Sequence, residues 1–151
     1  MTGQRKALIV ANDEYEQEAL RNLLAPGADA EVLGQVLGDP QVGDFGVHVV
    51  RNEPSYVIEA QIEDLFSKSR PDDVLLLHFS GHGLKSESGE LYFAASNTRP
   101  NRLGSTAVAR TSYSGACGTV GRAASCCFWT AAMAAPSPRA SRCGRPGMST
   151  C

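Results

Sequence analysis

Three short apolar runs divide the first part of the chain. The first covers residues 6–13 (KALIVAND) and lies between a charged segment and an Asn-Asp turn, which is typical of a buried strand. Residues 46–52 (GVHVVRN) and 74–83 (VLLLHFSGHG) repeat this pattern. The sequence therefore predicts three strands in the core of the fold.

Two segments with helical periodicity separate these strands. Residues 27–40 end with a glycine and a proline, which together stop a helix. The apolar residues of this segment form two rows at helical spacing, namely Ala28, Val32 and Val36 in one and Leu33 and Leu37 in the other. We expect Ser55 to cap the second helix at its N-terminus. The apolar stripe of that helix contains Ile58, Ile62, Leu65 and Phe66.

The order of these elements predicts an α/β fold, with a parallel sheet and helices on both faces. Parallel strands need crossover connections, and the two helices supply them. Residues 89–98 (GELYFAASNT) follow a turn and predict a short hairpin strand that extends the sheet. Because such sheets collect ligands at the carboxyl ends of their strands, we expect His82 at an open, chemically active rim.

Beyond Val108 the composition changes. All five cysteines lie after residue 116, and all 16 acidic residues lie before residue 109. The segment 109–151 has no leucine, isoleucine or lysine and shows neither helical nor strand periodicity. We therefore expect a domain at residues 5–108, followed by an unpatterned tail that contains no strand.

Composition narrows the classes of function. A net charge of −2 and a hydrophobic content of 42% predict a globular protein, which we expect to be cytoplasmic, with no membrane-spanning or targeting segment. The five arginines of the tail are scattered singly and do not form a basic patch that alternates with aromatic residues, so we expect no nucleic-acid binding. The cysteines are odd in number and confined to the tail, and no His or Cys spacing suits zinc. Neither a disulfide framework nor a metal or other cofactor is expected.

Two histidines occupy the third predicted strand. His78 lies inside the apolar run, and we interpret it as a core residue or as a support for the site. His82 follows at the strand exit between Gly81 and Gly83, which permit close approach of a substrate to the backbone and leave a main-chain N–H to face it. An imidazole that handles protons near neutral pH, beside a donor for an oxyanion, suits acyl transfer.

Two other interpretations of this stretch stay open. In the first, Gly81, Gly83 and Ser86 form a phosphate-binding turn, although the third glycine of the dinucleotide fingerprint and the lysine of a P-loop are absent. In the second, the glycines form a purely structural turn.

Five stretches carry a resemblance to a known family: residues 6–15 (KALIVANDEY), 20–40 (LRNLLAPGADAEVLGQVLGDP), 45–55 (FGVHVVRNEPS), 72–83 (DDVLLLHFSGHG) and 89–98. Together they resemble the N-terminal part of bacterial caspase-like cysteine peptidases of the caspase/metacaspase family. The resemblance runs from about residue 5 to residue 108. It implies a truncated caspase-type sheet, a protein or peptide substrate, a catalytic role for His82, and an oxyanion-binding role for the N–H of Gly83. Intact relatives can also carry fused effector domains.

The resemblance further implies a nucleophilic cysteine at the end of the next core strand, in a pattern like Leu-Leu-Asp-x-Cys-Tyr-Ser-Gly, roughly 50 residues after the histidine. The chain departs from this pattern. Cys126 and Cys127 have nearly the right separation from His82 but lack the aspartate before them and the glycine turn after them, and Cys117 comes too early. We expect this chain to be inactive or weak as a peptidase, because it lacks a nucleophile.

The genetic code offers an explanation for the missing pattern. We shifted the reading frame of the codons for residues 128–134 by one base toward the 5′ end. The shifted frame must encode Leu-Asp, followed by two residues drawn from Cys, Ser, Arg or Gly. One residue drawn from Tyr, His, Asn or Asp comes next, and Gly is last. The nucleophile would then be encoded across Ala131 or, in preference, Ala132. We infer a single-base frameshift near residue 109. Sequencing the gene across codons 100–135 tests this, since a continuous frame with conventional codon bias would remove the inference.

Loss of the core strand that should carry the nucleophile has two expected consequences. The strand that ends at His82 would lie uncovered at its edge, and the domain would be marginally stable. The chain could then act as a non-catalytic caspase-like fragment that binds proteins. A small nucleotide or phosphate binder is the remaining alternative.

Overall fold

The computed structural model describes residues 3–20, 26–111 and 126–133. Its helices are α1 (Pro26–Gly38), α2 (Ser55–Ser67) and α3 (Leu103–Thr106). Its strands are β1 (Arg5–Ala11), β2 (Gly46–Arg51), β3 (Val74–Lys85), β4 (Leu91–Ala94), β5 (Ala107–Ala109) and β6 (Cys126–Met133). The four strands and two helices expected before residue 98 are therefore confirmed. None of the helices in these ranges combines the length and the apolar character needed to cross a bilayer.

The described strands form one six-stranded mixed sheet. Strands β2, β1, β3, β4 and β5 follow one another in that order, and β6 also pairs with β3. The pairs β1–β2, β1–β3 and β3–β6 are parallel, whereas β3–β4 and β4–β5 are antiparallel. β3 is thus the central strand, with β1 and then β4 along one side and β6 along the other.

Helices cover both faces of this sheet, as the sequence predicts. Ile58 and Ile62 of α2 are fully buried in the larger core, which Leu8 of β1 also enters. Ile9, the next residue of β1, lies in a second core with Ala30 of α1. Alternate residues of β1 therefore point to opposite cores, which explains why its sequence is a continuous apolar run.

Only one of the two apolar rows of α1 faces the sheet. Leu33 and Leu37 pack against the second core. Val32 and Val36 are 61% and 48% exposed, so their row does not contribute to the core. Both rows satisfy helical periodicity, and only the position of the sheet decides which of them is buried.

The N-terminus of α2 differs from the expectation. The N-cap residue is Pro54, and no side chain of the cap bonds to the helix, so the prediction that Ser55 is the cap is wrong. Ser55 is instead the first helical residue, and its N–H donates to Asn97 Oδ1 at 2.9 Å. An acceptor 42 positions away in the sequence satisfies this N–H, which local capping rules do not anticipate.

The strand β6 corrects a second expectation. The tail was predicted to contain no strand, yet Cys126–Met133 pair with residues Leu76–Gly83 of β3 in parallel. β3 is therefore paired on this side and is not the uncovered edge that we expected. The segment CCFWTAAM has almost no polar residue, so it shows no alternation of polar and apolar positions by which a strand is recognised, which explains the error.

A buried carboxylate joins β1 to β3 at the end of the sheet opposite His82. Asp73 is 1% exposed and accepts hydrogen bonds from the N–H groups of Gln4 (2.8 Å) and Arg70 (3.0 Å) and from Lys6 Nζ (3.0 Å). The backbone donors, with the Lys6 ammonium group, lower the pKa of Asp73 to about 2. The ionised carboxylate is therefore part of the folded state at neutral pH.

Candidate functional site

The candidate site lies where the parallel strands of the sheet end. β1 ends at Ala11, opposite Ser80 in the register, and His82 lies two residues further along β3. His82 therefore occupies the carboxyl edge of the sheet, at the position in which α/β folds place their chemistry.

Tyr15 lies directly over His82. The N–H of His82 donates to Tyr15 Oη at 3.1 Å, and Tyr15 Oη donates to the carbonyl oxygen of Asn12 at 2.7 Å. The centroids of the Tyr15 and His82 rings are 5.0 Å apart, with an angle of 51° between the ring planes. The tyrosine therefore contacts both the main chain and the side chain of His82.

This contact corrects the expectation of an open rim. His82 is only 8% exposed, so its imidazole is covered although it lies at the expected edge. Burial also raises the pKa of Tyr15 to about 12, the hydrogen bond from the His82 N–H opposes this rise, and Asp13 adds to it. Tyr15 is thus protonated at neutral pH and can donate and accept at the same time.

The backbone of β3 directs the Gly83 N–H away from Tyr15. Along a strand, the N–H and C=O groups of successive residues point to alternate neighbours. The Ser80 carbonyl accepts from the Asn12 N–H at 2.9 Å, and the His82 N–H points to this same side. The N–H of Gly83 therefore points to the other side, toward β6.

The register of β6 places Ala132 opposite His82 and Ala131 opposite Gly81. Cys127 is opposite Leu77, five positions before His82, which corresponds to about 16 Å along the strand. Cys126 is one position further away. The register therefore places neither cysteine opposite His82, and Cys117 falls outside the described residues.

His78 occupies the interior of β3, opposite Ile9 of β1 and Phe128 of β6. It is 9% exposed, and burial lowers its pKa, an effect that the Asp29 carboxylate partly opposes. A histidine held between two paired strands fits the interpretation of His78 as a core residue.

A polar cluster that the sequence analysis missed lies beside this site, at the ends of β1 and β2. Asp13 accepts hydrogen bonds from Arg51 Nη2 (2.8 Å) and Asn52 Nδ2 (2.7 Å). Burial would raise the pKa of Asp13, but these donors together lower it below its ordinary value. Asn52 Oδ1 accepts in return from the N–H of Asp13 at 2.9 Å. The position of these residues just after two parallel strands was the available signal.

The glycines beside His82 do not form a phosphate-binding turn. Gly81 and Gly83 both lie inside β3, and Gly83 is opposite Phe93 on one side and Met133 on the other. The turn begins only at Ser86, where the hydroxyl accepts from the N–H of Glu90 at 3.1 Å. The geometry therefore does not supply the cradle that the nucleotide interpretation requires.

A sheet with helices on both faces and a histidine at the carboxyl edge of its central strand defines a caspase-like α/β fold. The family model of the caspase domain matches residues 4–101. The chain belongs to the caspase-domain family. No curated protein matches the sequence significantly.

Solved structures support the same fold. Caspase-1 from Spodoptera frugiperda matches with a TM-score of 0.59 and 22% identity, over 87% of this chain and 49% of that one. Pro-sf-caspase-1 matches with a TM-score of 0.60 and 19% identity, over 99% and 54%. A protein from Geobacter sulfurreducens matches with a TM-score of 0.62 and 16% identity, over 85% and 50%. The chain thus spans about half the length of these structures.

Proposed function

We propose that this chain carries the histidine-bearing part of a caspase-type cysteine endopeptidase and lacks the nucleophile. In this proposal His82 is the catalytic histidine, the N–H of Gly83 binds the oxyanion, and Ala132 occupies the position of the missing cysteine. The printed chain is then inactive or weak as a peptidase.

The observation that carries the proposal is the register between β3 and β6. Ala132 is directly opposite His82, and neighbouring strands lie about 4.8 Å apart. A thiol at this position would lie close enough to the imidazole for a Cys-His pair. Ala132 is also the position to which the neighbouring reading frame assigns a residue chosen from Cys, Ser, Arg or Gly.

With a cysteine at position 132, the chemistry would follow the usual course of acyl transfer. The thiolate sulfur attacks the carbonyl carbon of the peptide, and the N–H groups of Gly83 and of residue 132 hold the resulting oxyanion. His82 donates a proton to the amine nitrogen as the C–N bond breaks, and water then hydrolyses the thioester. An alanine at position 132 has no nucleophilic atom, so the first step of this reaction, the attack on the peptide carbonyl, cannot take place.

The absence of a nucleophile opposite His82 favours a second candidate function for the printed chain. A caspase-like fragment that keeps the carboxyl edge of the sheet but has no nucleophile could bind protein partners without cleaving them. Binding of nucleotide is the weaker alternative, since Gly81 and Gly83 lie within a strand. Thermal stabilisation of the chain by added nucleotide would nevertheless favour it.

The test restores the thiol. The printed chain, Ala132→Cys and Ala132→Cys/His82→Ala are each incubated with a peptidyl acyloxymethyl ketone, and labelled cysteines are mapped by peptide mass spectrometry. We expect labelling at position 132 only in Ala132→Cys, with a strong loss on removal of His82. Ala132→Ser controls for the change in size at this position.

Labelling at position 132 that does not depend on His82 would contradict the assignment of the histidine. Hydrolysis of labelled casein by the printed chain, lost on alkylation of Cys126 or Cys127, would contradict the assignment of Ala132. In either case the register would not identify the catalytic pair.

A further inference from the structure

The side of β3 that faces β1 and β4 contains a break in pairing. β1 is in register with β3 as far as Ser80, and β4 is in register with β3 only from Gly83 onward. In the described part of the sheet, Gly81 and His82 therefore lie between the two ladders, and the register places neither β1 nor β4 opposite them. The N–H of His82 points into the break, where an unbonded donor would be costly.

Tyr15 supplies the missing acceptor. Its hydroxyl oxygen accepts from the His82 N–H at 3.1 Å, in the place where a carbonyl of a longer β1 would lie. The same hydroxyl donates to the Asn12 carbonyl at 2.7 Å, which ties the bridge to the end of β1. Asn12 Nδ2 reaches the Ala94 carbonyl at 2.9 Å and so connects the end of β1 to the end of β4.

Gly81 makes room for this bridge. A methyl group at position 81 would lie 3.0 Å from Tyr15 Oη and 3.1 Å from the Asn12 carbonyl oxygen, closer than side-chain carbons ordinarily approach. Any larger residue would therefore displace the hydroxyl or the end of β1. The glycine before His82 thus has a physical role that is independent of contact with a substrate.

We propose that Tyr15 is a positioning residue for His82: its hydroxyl completes the broken ladder at the His82 N–H, and its ring holds the imidazole. The proposal rests on the proposed function of His82. Asn12 and Gly81 contribute to the same arrangement. The Asn12 carbonyl accepts the hydrogen bond of the tyrosine hydroxyl, and Gly81 has no side chain that would displace this hydroxyl.

The experiment separates the hydroxyl from the ring. Tyr15→Phe removes only the hydroxyl, Tyr15→Leu removes both, and Gly81→Ala displaces the hydroxyl from the other side. Tyr92→Phe is the matched control, because Tyr92 also donates a hydroxyl hydrogen bond, but to Glu90 at 3.0 Å, and the register places it opposite Leu84, two residues beyond His82.

The first measurement is NMR of the His82 ring nitrogens and carbons in the full chain. We expect shifted or exchange-broadened His82 signals in Tyr15→Phe and Gly81→Ala, a larger change in Tyr15→Leu, and none in Tyr92→Phe. The double variant Tyr15→Phe/Gly81→Ala should change little beyond either single variant, since both remove one interaction. Signals of the Phe79–Phe93 ring pair in the core report whether each variant is folded.

The second measurement places the same substitutions in Ala132→Cys and follows alkylation of that thiol against pH. Tyr15→Phe should move the midpoint of the profile toward that of an ordinary thiol by about 0.5 pH units or more. Unchanged His82 signals in folded Tyr15→Phe and Tyr15→Leu would overturn the positioning role. If the signals change but the thiol of Ala132→Cys behaves as an ordinary one in every background, the positioning role stands and the proposed function fails.

Discussion

The register of β6 leads to a prediction that compares two neighbouring positions of one strand. Ala132→Cys introduces a thiol opposite His82, and Ala131→Cys introduces the same thiol opposite Gly81. Successive positions of a strand alternate between the faces of the sheet, so the two thiols would lie on opposite faces. Only the thiol at position 132 should be able to pair with the imidazole.

The size of the effect follows from the spacing of the strands. Opposite charges about 4 Å apart, at an effective dielectric constant of about 20, interact by about 4 kcal/mol. This corresponds to at most about 3 pKa units, and measured shifts beside an opposite charge are about 1–3 units. A thiol at position 132 should therefore ionise with a pKa of about 5.5–7.5, compared with about 8.5 for an ordinary cysteine.

The assay is the rate of iodoacetamide alkylation as a function of pH, followed separately for each cysteine by peptide mass spectrometry. At pH 6.5 an ordinary thiol is only about 1% ionised, but a thiolate of lower pKa is also a weaker nucleophile. The net gain for Ala132→Cys at this pH is therefore about three- to tenfold, and the midpoint of the pH profile is the sharper measurement. Cys126 and Cys127 in the same chain serve as internal references.

Equal midpoints for the thiols at positions 131 and 132 would refute the reasoning from the register. A lowered midpoint at position 131 alone would show that the strand is shifted by one residue, since such a shift exchanges the faces. A lowered midpoint at position 132 that persists in His82→Ala would assign the effect to another group.

Two further predictions concern stability. Ile62 is fully buried between α2 and the sheet, so Ile62→Ala should lower the free energy of unfolding by about 2–5 kcal/mol in urea titrations followed by circular dichroism, whereas Val32→Ala on the exposed row of α1 should change it by less than about 0.5 kcal/mol. Equal losses would contradict the assigned orientation of α1. The pKa of Asp73 is lowered to about 2 from 3.8. The ionised carboxylate therefore makes its full contribution to folding stability above the pKa of the unfolded state, and this contribution is lost as the pH falls through the pKa of the folded state. The stability difference between the parent chain and Asp73→Asn should therefore be constant near neutrality and shrink from about pH 4 to pH 2; a difference that is independent of pH would argue against a role for the charge.

Local sequence patterns predicted most of the fold correctly. Residues 6–13, 46–52 and 74–83 have the apolar content of buried strands, and the segments between them have helical periodicity. These signals are local because each strand or helix must bury its own apolar side chains. The position of His82 at the carboxyl edge also followed, since strand order and crossover handedness leave few alternative topologies.

The errors have a common physical origin in contacts between distant segments. The N–H of Ser55 bonds to Asn97, and the exposed row of α1 is exposed because the sheet lies on its other side. β6 forms beside β3 although its own residues show no alternation, because its backbone pairs with that of β3, more than 40 residues earlier in the chain. No local window contains these partners.

By itself, the sequence determined the apolar α/β core and the histidine at the end of the third apolar run, and it contains no cysteine in the pattern that the family resemblance implies. Only the tertiary structure decided which position lies opposite that histidine and which side chain covers it. Ala132 and Tyr15 are separated from His82 by many residues along the chain, and they reach it because parallel pairing and the break between β1 and β4 bring three distant segments to one point. The periodicity of the sequence predicts which residues are buried, whereas the register of the strands and the tertiary hydrogen bonds determine which residues contact one another.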